Sequence, residues 1–493
     1  MALATVAFPE LVPSDPLHVL PTDVLIHIFE YLSFPDLTRC LRVSRLWYSQ
    51  LPFIPYLWRE LQYPSGPTNS NGSAGPSPTA KAVQRALQLS GPRLRSLVVG
   101  QADRLTLQCL DTLARCPRPQ LRHLALVGAR RIDGDRLVRT IRGVAGTLTR
   151  LNLAGCSLSD RVVAEILSMC THLRSLNVSH CTQLSRYMLE GVRLRTPTGS
   201  TNTSATSYTL PRLIGSGSPS SSLSSSSSVA LVSPPERTLP PLAHFICRQN
   251  QACASPGIWN TLCHHYATTL REIDWTSTGE VSVPMLRNLA LCTGLQCLNI
   301  SHCRFTGPAE AIELALVQIG ERCPQLERLY LAHLVEMTES QVRALVGLNS
   351  GWRICDLAHV HHLSDAFLRT FSIQAPRLTH LNVAGCFQCT DVGLSHIIKR
   401  CTALVYLNVS KCAVTDLFLS RLLRYAKNIR TLILDGCSSI SSGGMQLVVT
   451  QPAFLRQLEH LSLYNCIKVN YDTAQALRKG MSPDAHFRYY FSG

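Results

Sequence analysis

The stretch LTHLNVAGCFQCTDVGLSHIIKRC, residues 378–401, holds three cysteines, one pair of them spaced Cys-x-x-Cys, and two histidines, His380 and His396. It could be a metal site, a redox site or a stretch with no chemistry. Its first half alternates apolar and polar residues, as a short strand with one buried face does. Its second half places Val392, Leu394, Ile397 and Ile398 at helical spacing.

The same two-part unit recurs along the chain. LTRLNLAGC, LRSLNVSHC, LQCLNISHC, LVYLNVSKC, IRTLILDGC and LEHLSLYNC share the frame L-x-x-L-x-L-x-x-C. Counting weaker copies, first positions fall at Leu94, Leu121, Leu148, Leu173, Leu270, Leu295, Leu326, Trp352, Leu378, Leu404, Ile429 and Leu458. One strand and one helix cannot bury their apolar faces alone, but stacked copies can. The expected fold is therefore α/β, a curved solenoid of about twelve repeats with inner parallel strands and outer helices.

That period answers the question about the cysteines. Cys156, Cys181, Cys303, Cys386, Cys412, Cys437 and Cys466 all stand eight residues after a first position, where other copies carry Ala, Thr, Leu or Val. A slot filled by those residues is small and buried, and free cysteine behaves there as a compact hydrophobe. Cys389 reads as an incidental loop residue, and His359, His361 and His362 of HVHH as solvated loop side chains. No closed four-ligand set at zinc spacing accompanies them, so no metal and no cofactor is expected.

Composition narrows the class. The opening MALATVAFPELVPS has prolines where the apolar core of a secretory signal would lie. Reduced thiols in a cytoplasmic or nuclear setting are expected rather than a disulfide framework. No run of 18 apolar residues suggests a membrane partner. The net charge of +16 raises nucleic acid as a partner, but no basic run of five occurs, and nucleic acid is not expected.

Ahead of the repeats, LPTDVLIHIFEYLSFPDLTRCLRVSRLW spans residues 20–47. Pro21 suits a first helical turn. Leu25, Phe29 and Leu32 share one helix face, and Val24, Ile28 and Tyr31 form a second stripe. Spacing alone leaves open whether both stripes pack internally or one awaits a partner helix.

The leading Leu-Pro, the IFEYL helix, the PDL entry and the VSRLW turn resemble an F-box, and the repeats resemble leucine-rich repeats of the cysteine-containing subclass. The resemblance implies a non-catalytic substrate receptor of a Skp–cullin–F-box ubiquitin ligase. Its partners would be a Skp-type adaptor, through it a cullin-RING ligase, and a protein substrate. The positions matching the family's adaptor contacts are Leu20, Pro21, Leu25, Ile28, Phe29, Leu32, Leu37, Val43 and Trp47. A repeat scaffold whose N-terminal helices merely cap the solenoid is the alternative.

The expected organisation is a tail at 1–16, an F-box at 17–62, a flexible linker at 63–80, repeats at 81–194, a Ser/Pro-rich insertion at 195–256, and further repeats at 257–493. On the concave face, Arg95, Arg122, His123, Arg150 and Arg174 of the first four copies are expected to form a ladder. Such a ladder suits an acidic or phosphorylated substrate segment.

Overall fold

The computed structural model describes residues 20–32, 34–54, 57–63, 80–100, 102, 109, 111–113, 120–189 and 240–490. The expected tail at 1–16, most of the linker and residues 195–239 of the insertion lie outside these. Three short helices open the chain: α1 (Thr22–Phe29), α2 (Phe34–Cys40) and α3 (Arg45–Gln50). Ser44 starts α3 by accepting the Trp47 amide on its hydroxyl at 3.2 Å, which satisfies one of the unpaired donors of a first turn.

A parallel sheet then runs the length of the molecule, one strand per copy, with 15 strands among the described residues. Its first seven are β1 (Glu60–Tyr63), β2 (Ser96–Val99), β3 (His123–Leu126), β4 (Arg150–Asn152), β5 (Ser175–Asn177), β6 (His244–Ile246) and β7 (Glu272–Asp274). Neighbours pair in strict register, for example His123 with Arg150 and Arg150 with Ser175. Parallel pairing needs a crossover between strands, and among the described residues most crossovers carry a helix, such as Asp391–Arg400. The core lies between sheet and helices. Leu378, Leu381 and Val383 from the strand side meet Leu394, Ile397 and Ile398 from the helix side, all fully buried. Val392 belongs to the opposite, exposed face of its helix.

Three strands extend the expected twelve, and each breaks the leucine frame. β1 carries Trp58 and Tyr63 in place of leucines on either side of Leu61, β6 reads Leu242, Phe245, Cys247, and the last strand, His486–Arg488, follows Asp484. Two expected boundaries move as a result. Residues 244–246, expected within an insertion ending at 256, pair with both β5 and β7. β1 pairs with β2 before the linker begins. The residues after Tyr63 therefore do not separate the N-terminal helices from the sheet.

Each copy leaves its strand by the same turn. Seven residues after the first position φ is positive in every copy from Leu121 to Leu458: Gly128, Gly155, His180, Gln249, Ser277, His302, His333, His359, Gly385, Lys411, Gly436 and Asn465. The cysteine that follows is buried and donates its thiol to a carbonyl of the preceding copy. Cys386 reaches Leu357 at 3.3 Å, Cys412 reaches Val383 at 3.1 Å and Cys466 reaches Leu434 at 3.1 Å. Burial pushes the Cys466 thiol up to about 11 and the Cys437 thiol up to about 12, which removes them from thiolate chemistry at neutral pH. Cys389 is a correction to the sequence reading. It is fully buried and donates to the Leu363 carbonyl at 3.5 Å. Cys247 and Cys253 form a disulfide, where reduced thiols were expected.

The histidines also depart from expectation. His302, His333 and His359 occupy the positive-φ position of three consecutive copies and stack, with ring centroids 4.1 and 4.3 Å apart. His361 continues the row to Phe387. Among the described residues no group of three or more His, Cys, Asp or Glu side chains is arranged to hold a metal, and no helix is long and apolar enough to cross a membrane.

Candidate functional site

Two surfaces carry the residues singled out from sequence. The first is the N-terminal helical module. Forty-odd residues make a marginal core, and this one is closed by α1 and α2 from inside. Leu25, Phe29 and Leu37 are at most 5% exposed, and Phe29 meets Trp47 edge-on at 5.3 Å. Leu20, Leu32 and Trp47 are half-buried against the same cluster. Leu25, Phe29 and Leu37 therefore hold the helices together and are not presented to a partner. This corrects their placement among contact residues: Leu25 and Phe29 stand i, i+4 on the inward face of α1, and Leu37 joins the same cluster from α2.

The second stripe is the open one. Val24, Ile28 and Tyr31 are exposed on or just after α1, joined by Val43 after α2 and Tyr48 on α3. Of the nine expected contact positions, only Pro21, Ile28 and Val43 are exposed. Val24, Tyr31 and Tyr48 were absent from that set, although the stripe containing Val24 and Tyr31 is readable from the helical period. Tyr48 also accepts a hydrogen bond from Arg85 at 2.8 Å, so it marks the edge of the face next to the first repeat.

β1 fixes this module to the sheet. Trp58 is buried and its indole Nε1–H donates to the Leu51 carbonyl at 2.9 Å. Two residues later the chain enters the sheet at Glu60, opposite Ser96.

The second surface is the strand side of the early repeats. Register aligns Glu60, Ser96, His123, Arg150, Ser175, His244 and Glu272 into one row across β1 to β7. Of the expected ladder, only His123 and Arg150 belong to it. Arg95, Arg122 and Arg174 stand one residue before their strands, and Thr149 occupies that place in the intervening copy. A shift of one residue changes the row a side chain joins, so the expected single ladder becomes two offset rows. His123 is held below its ordinary value by burial first and by the neighbouring Arg150 charge second.

Two residues further along each strand, the polar side chains have a structural task. Asn152, Asn177, Asp274, Asn299, Asp356, Asn382 and Asn408 each accept the backbone N–H two residues ahead, at 3.0–3.1 Å. They shape the exit turn.

Comparison with known proteins agrees with both halves. An F-box-like family model matches residues 17–62, and a leucine-rich-repeat model matches residues 170–185. Among solved structures, the chain is similar to one in the Rad7 and Elc1 complex of yeast, with 15% identity over 82% of this chain and 80% of that one, at a TM-score of 0.44. It is also similar to an internalin from Listeria monocytogenes, with 12% identity over 84% of this chain and 94% of that one, at a TM-score of 0.38. The chain combines an F-box-like domain with leucine-rich repeats in a single solenoid.

Proposed function

We propose that the chain is the substrate-receiving subunit of a Skp–cullin–F-box ubiquitin ligase, working in the cytoplasm or nucleus. The observation that carries this reading is the apolar face of Val24, Ile28, Tyr31, Val43 and Tyr48, exposed beside a core already closed by Leu25, Phe29 and Leu37. A module this small gains nothing in stability from leaving such a face in water, whereas an adaptor helix laid across it would bury the face.

The chain makes and breaks no bond itself on this reading. The F-box-like domain docks the Skp-type adaptor, the solenoid holds a protein substrate, and the substrate's local concentration near the charged ubiquitin rises. The direct seat of the helices on β1 supports the mechanism, because a substrate held on the sheet keeps a fixed direction from the adaptor.

That same seat favours a second reading, in which the three helices are an end cap for the solenoid. Affinity purification separates the two. Recovery of a Skp-type adaptor together with a cullin supports the receptor, and a purified chain that binds neither under low-salt conditions supports the scaffold.

A further inference from the structure

The chain's positive charge is not evenly placed. Residues 80–189 carry 17 Lys and Arg against 6 Asp and Glu, a balance of +11 out of the total of +16. The absence of a long basic run conceals this concentration, because it is set by the repeat period rather than by adjacent residues.

Within that block the arginines divide by face. Three of those on the helices are neutralised. Arg136 pairs with Asp111 at 3.2 Å, Arg142 with Glu165 at 2.8 Å and Arg161 with Asp135 at 2.8 Å. On the strand side, Arg95, Arg122, Arg150 and Arg174 are all exposed, and among the described residues none has a carboxylate within ion-pair distance. Four consecutive copies thus supply one unpaired arginine each.

Three later copies behave differently at matching places, while Arg271, half-buried, has no carboxylate within ion-pair distance among the described residues. Arg328 pairs with Glu272 at 3.1 Å, Arg353 with Glu327 at 3.5 Å and Arg430 with Glu459 at 2.6 Å. The unpaired set is also bounded. In the row that contains Arg150, the first carboxylates met in either direction are Glu60 on β1 and Glu272 on β7.

We infer that Arg95, Arg122, Arg150 and Arg174 form a docking strip for an acidic protein segment lying across strands β2 to β5. This rests on the receptor reading and names its substrate class. Four neighbouring strands span roughly 14 Å at about 4.8 Å per step. An extended run of four to five acidic residues covers about the same length at roughly 3.3 Å per residue. Guanidinium forks can grip carboxylates or phosphate groups in two-point fashion, so the shared chemistry is a closely spaced row of anions on an extended chain.

The test uses the full-length chain and three fluorescein-labelled probes: an octaglutamate peptide, a peptide with four phosphoserines, and a single-stranded RNA octamer. Adaptor binding is measured in parallel. The expected result is that both peptides bind, that affinity falls as salt screens the strip, and that R122E/R150E/R174E weakens them about tenfold or more. R353E/R430E, which reverses paired arginines of the later copies, should leave them unchanged. Stronger peptide binding identifies the source, with the phosphoserine probe favoured for a phosphorylated segment and octaglutamate for an acidic one. Peptide binding unaffected by the triple reversal overturns the inference, as does tighter binding of the RNA than of either peptide. If peptides bind through the strip while no adaptor is bound, the strip stands and the receptor reading fails. If the adaptor binds and neither peptide does, the strip fails alone.

Discussion

Thr415 donates its hydroxyl to the carboxylate of Asp391 in the preceding copy at 2.5 Å, and the same oxygen accepts the Leu417 amide at 3.2 Å. One side chain thus caps its own helix and ties it to the helix before. The pattern repeats with Thr390 on Asp365 and Ser441 on Asp416. Replacing Thr415 with valine keeps the volume and removes both bonds. It should lower stability by about 1–2 kcal/mol. A double-mutant cycle with Asp391→Ala, followed by urea denaturation, should give a coupling of at least about 0.5 kcal/mol; additive costs would mean that the two residues act separately.

Glu339 holds the same place one copy earlier, and its acidity can be read. Burial alone would raise it, but hydrogen bonds from Ser364 and the pairing with Arg343 outweigh burial and hold it below the ordinary glutamate value of 4.5. A depressed carboxylate contributes stability that is complete above its unfolded value and is lost as pH falls through its folded one. The loss of stability on acidification below pH 4.5 should therefore shrink in Glu339→Gln. Identical acid titrations of the two proteins by circular dichroism would contradict this assignment.

The stacked histidines work with the same sign by a different cause. Burial, then neighbouring positive groups, hold His333 and His359 below the ordinary histidine value. A histidine lowered on folding favours the neutral form, so its contribution is complete above the unfolded value and declines as pH falls from about 7.5 to 5.5. His333→Asn removes the titration and tolerates the positive φ. Its urea midpoint should vary less between those two pH values than that of the parent chain, and an equal variation would place the pH sensitivity elsewhere.

Trp58 should behave as the bolt between module and sheet. Its replacement by alanine removes a buried indole and should cost about 3–5 kcal/mol. Because β1 is the first strand of the sheet and pairs directly with β2, the helices and the first repeats should lose structure together. Limited proteolysis that frees residues 20–50 while leaving β2 protected would show that the two are independent.

Much of this was legible in the sequence, because a period near 26 residues with leucines at fixed places leaves few alternatives. The cysteine slot was readable for the same reason, since other copies fill it with apolar residues. β1 and β6 escaped notice because Trp58, Leu61 and Tyr63, or Leu242, Phe245 and Cys247, bury the same faces with different side chains. The histidine stack was hidden because HVHH looks local, whereas His302, His333 and His359 meet only through the solenoid. In the F-box-like domain the helical period gave both stripes of α1. Only the packing of Phe29 on Trp47 decided which of them faces inward. The arginines were picked from the strand pattern as a single ladder, but a one-residue offset at Arg150 separates them into two rows.

The most direct test of the account is the affinity of the full-length chain for a purified Skp-type adaptor, compared between Ile28→Glu/Val43→Glu and the parent. Both positions are exposed, at 48% and 61%, so the variant should fold with an unchanged melting transition. The account predicts that its adaptor binding falls about a hundredfold or more, as expected when charges are placed in the apolar centre of an interface. Unchanged affinity in a folded variant would contradict the central claim and leave the helices as an end cap.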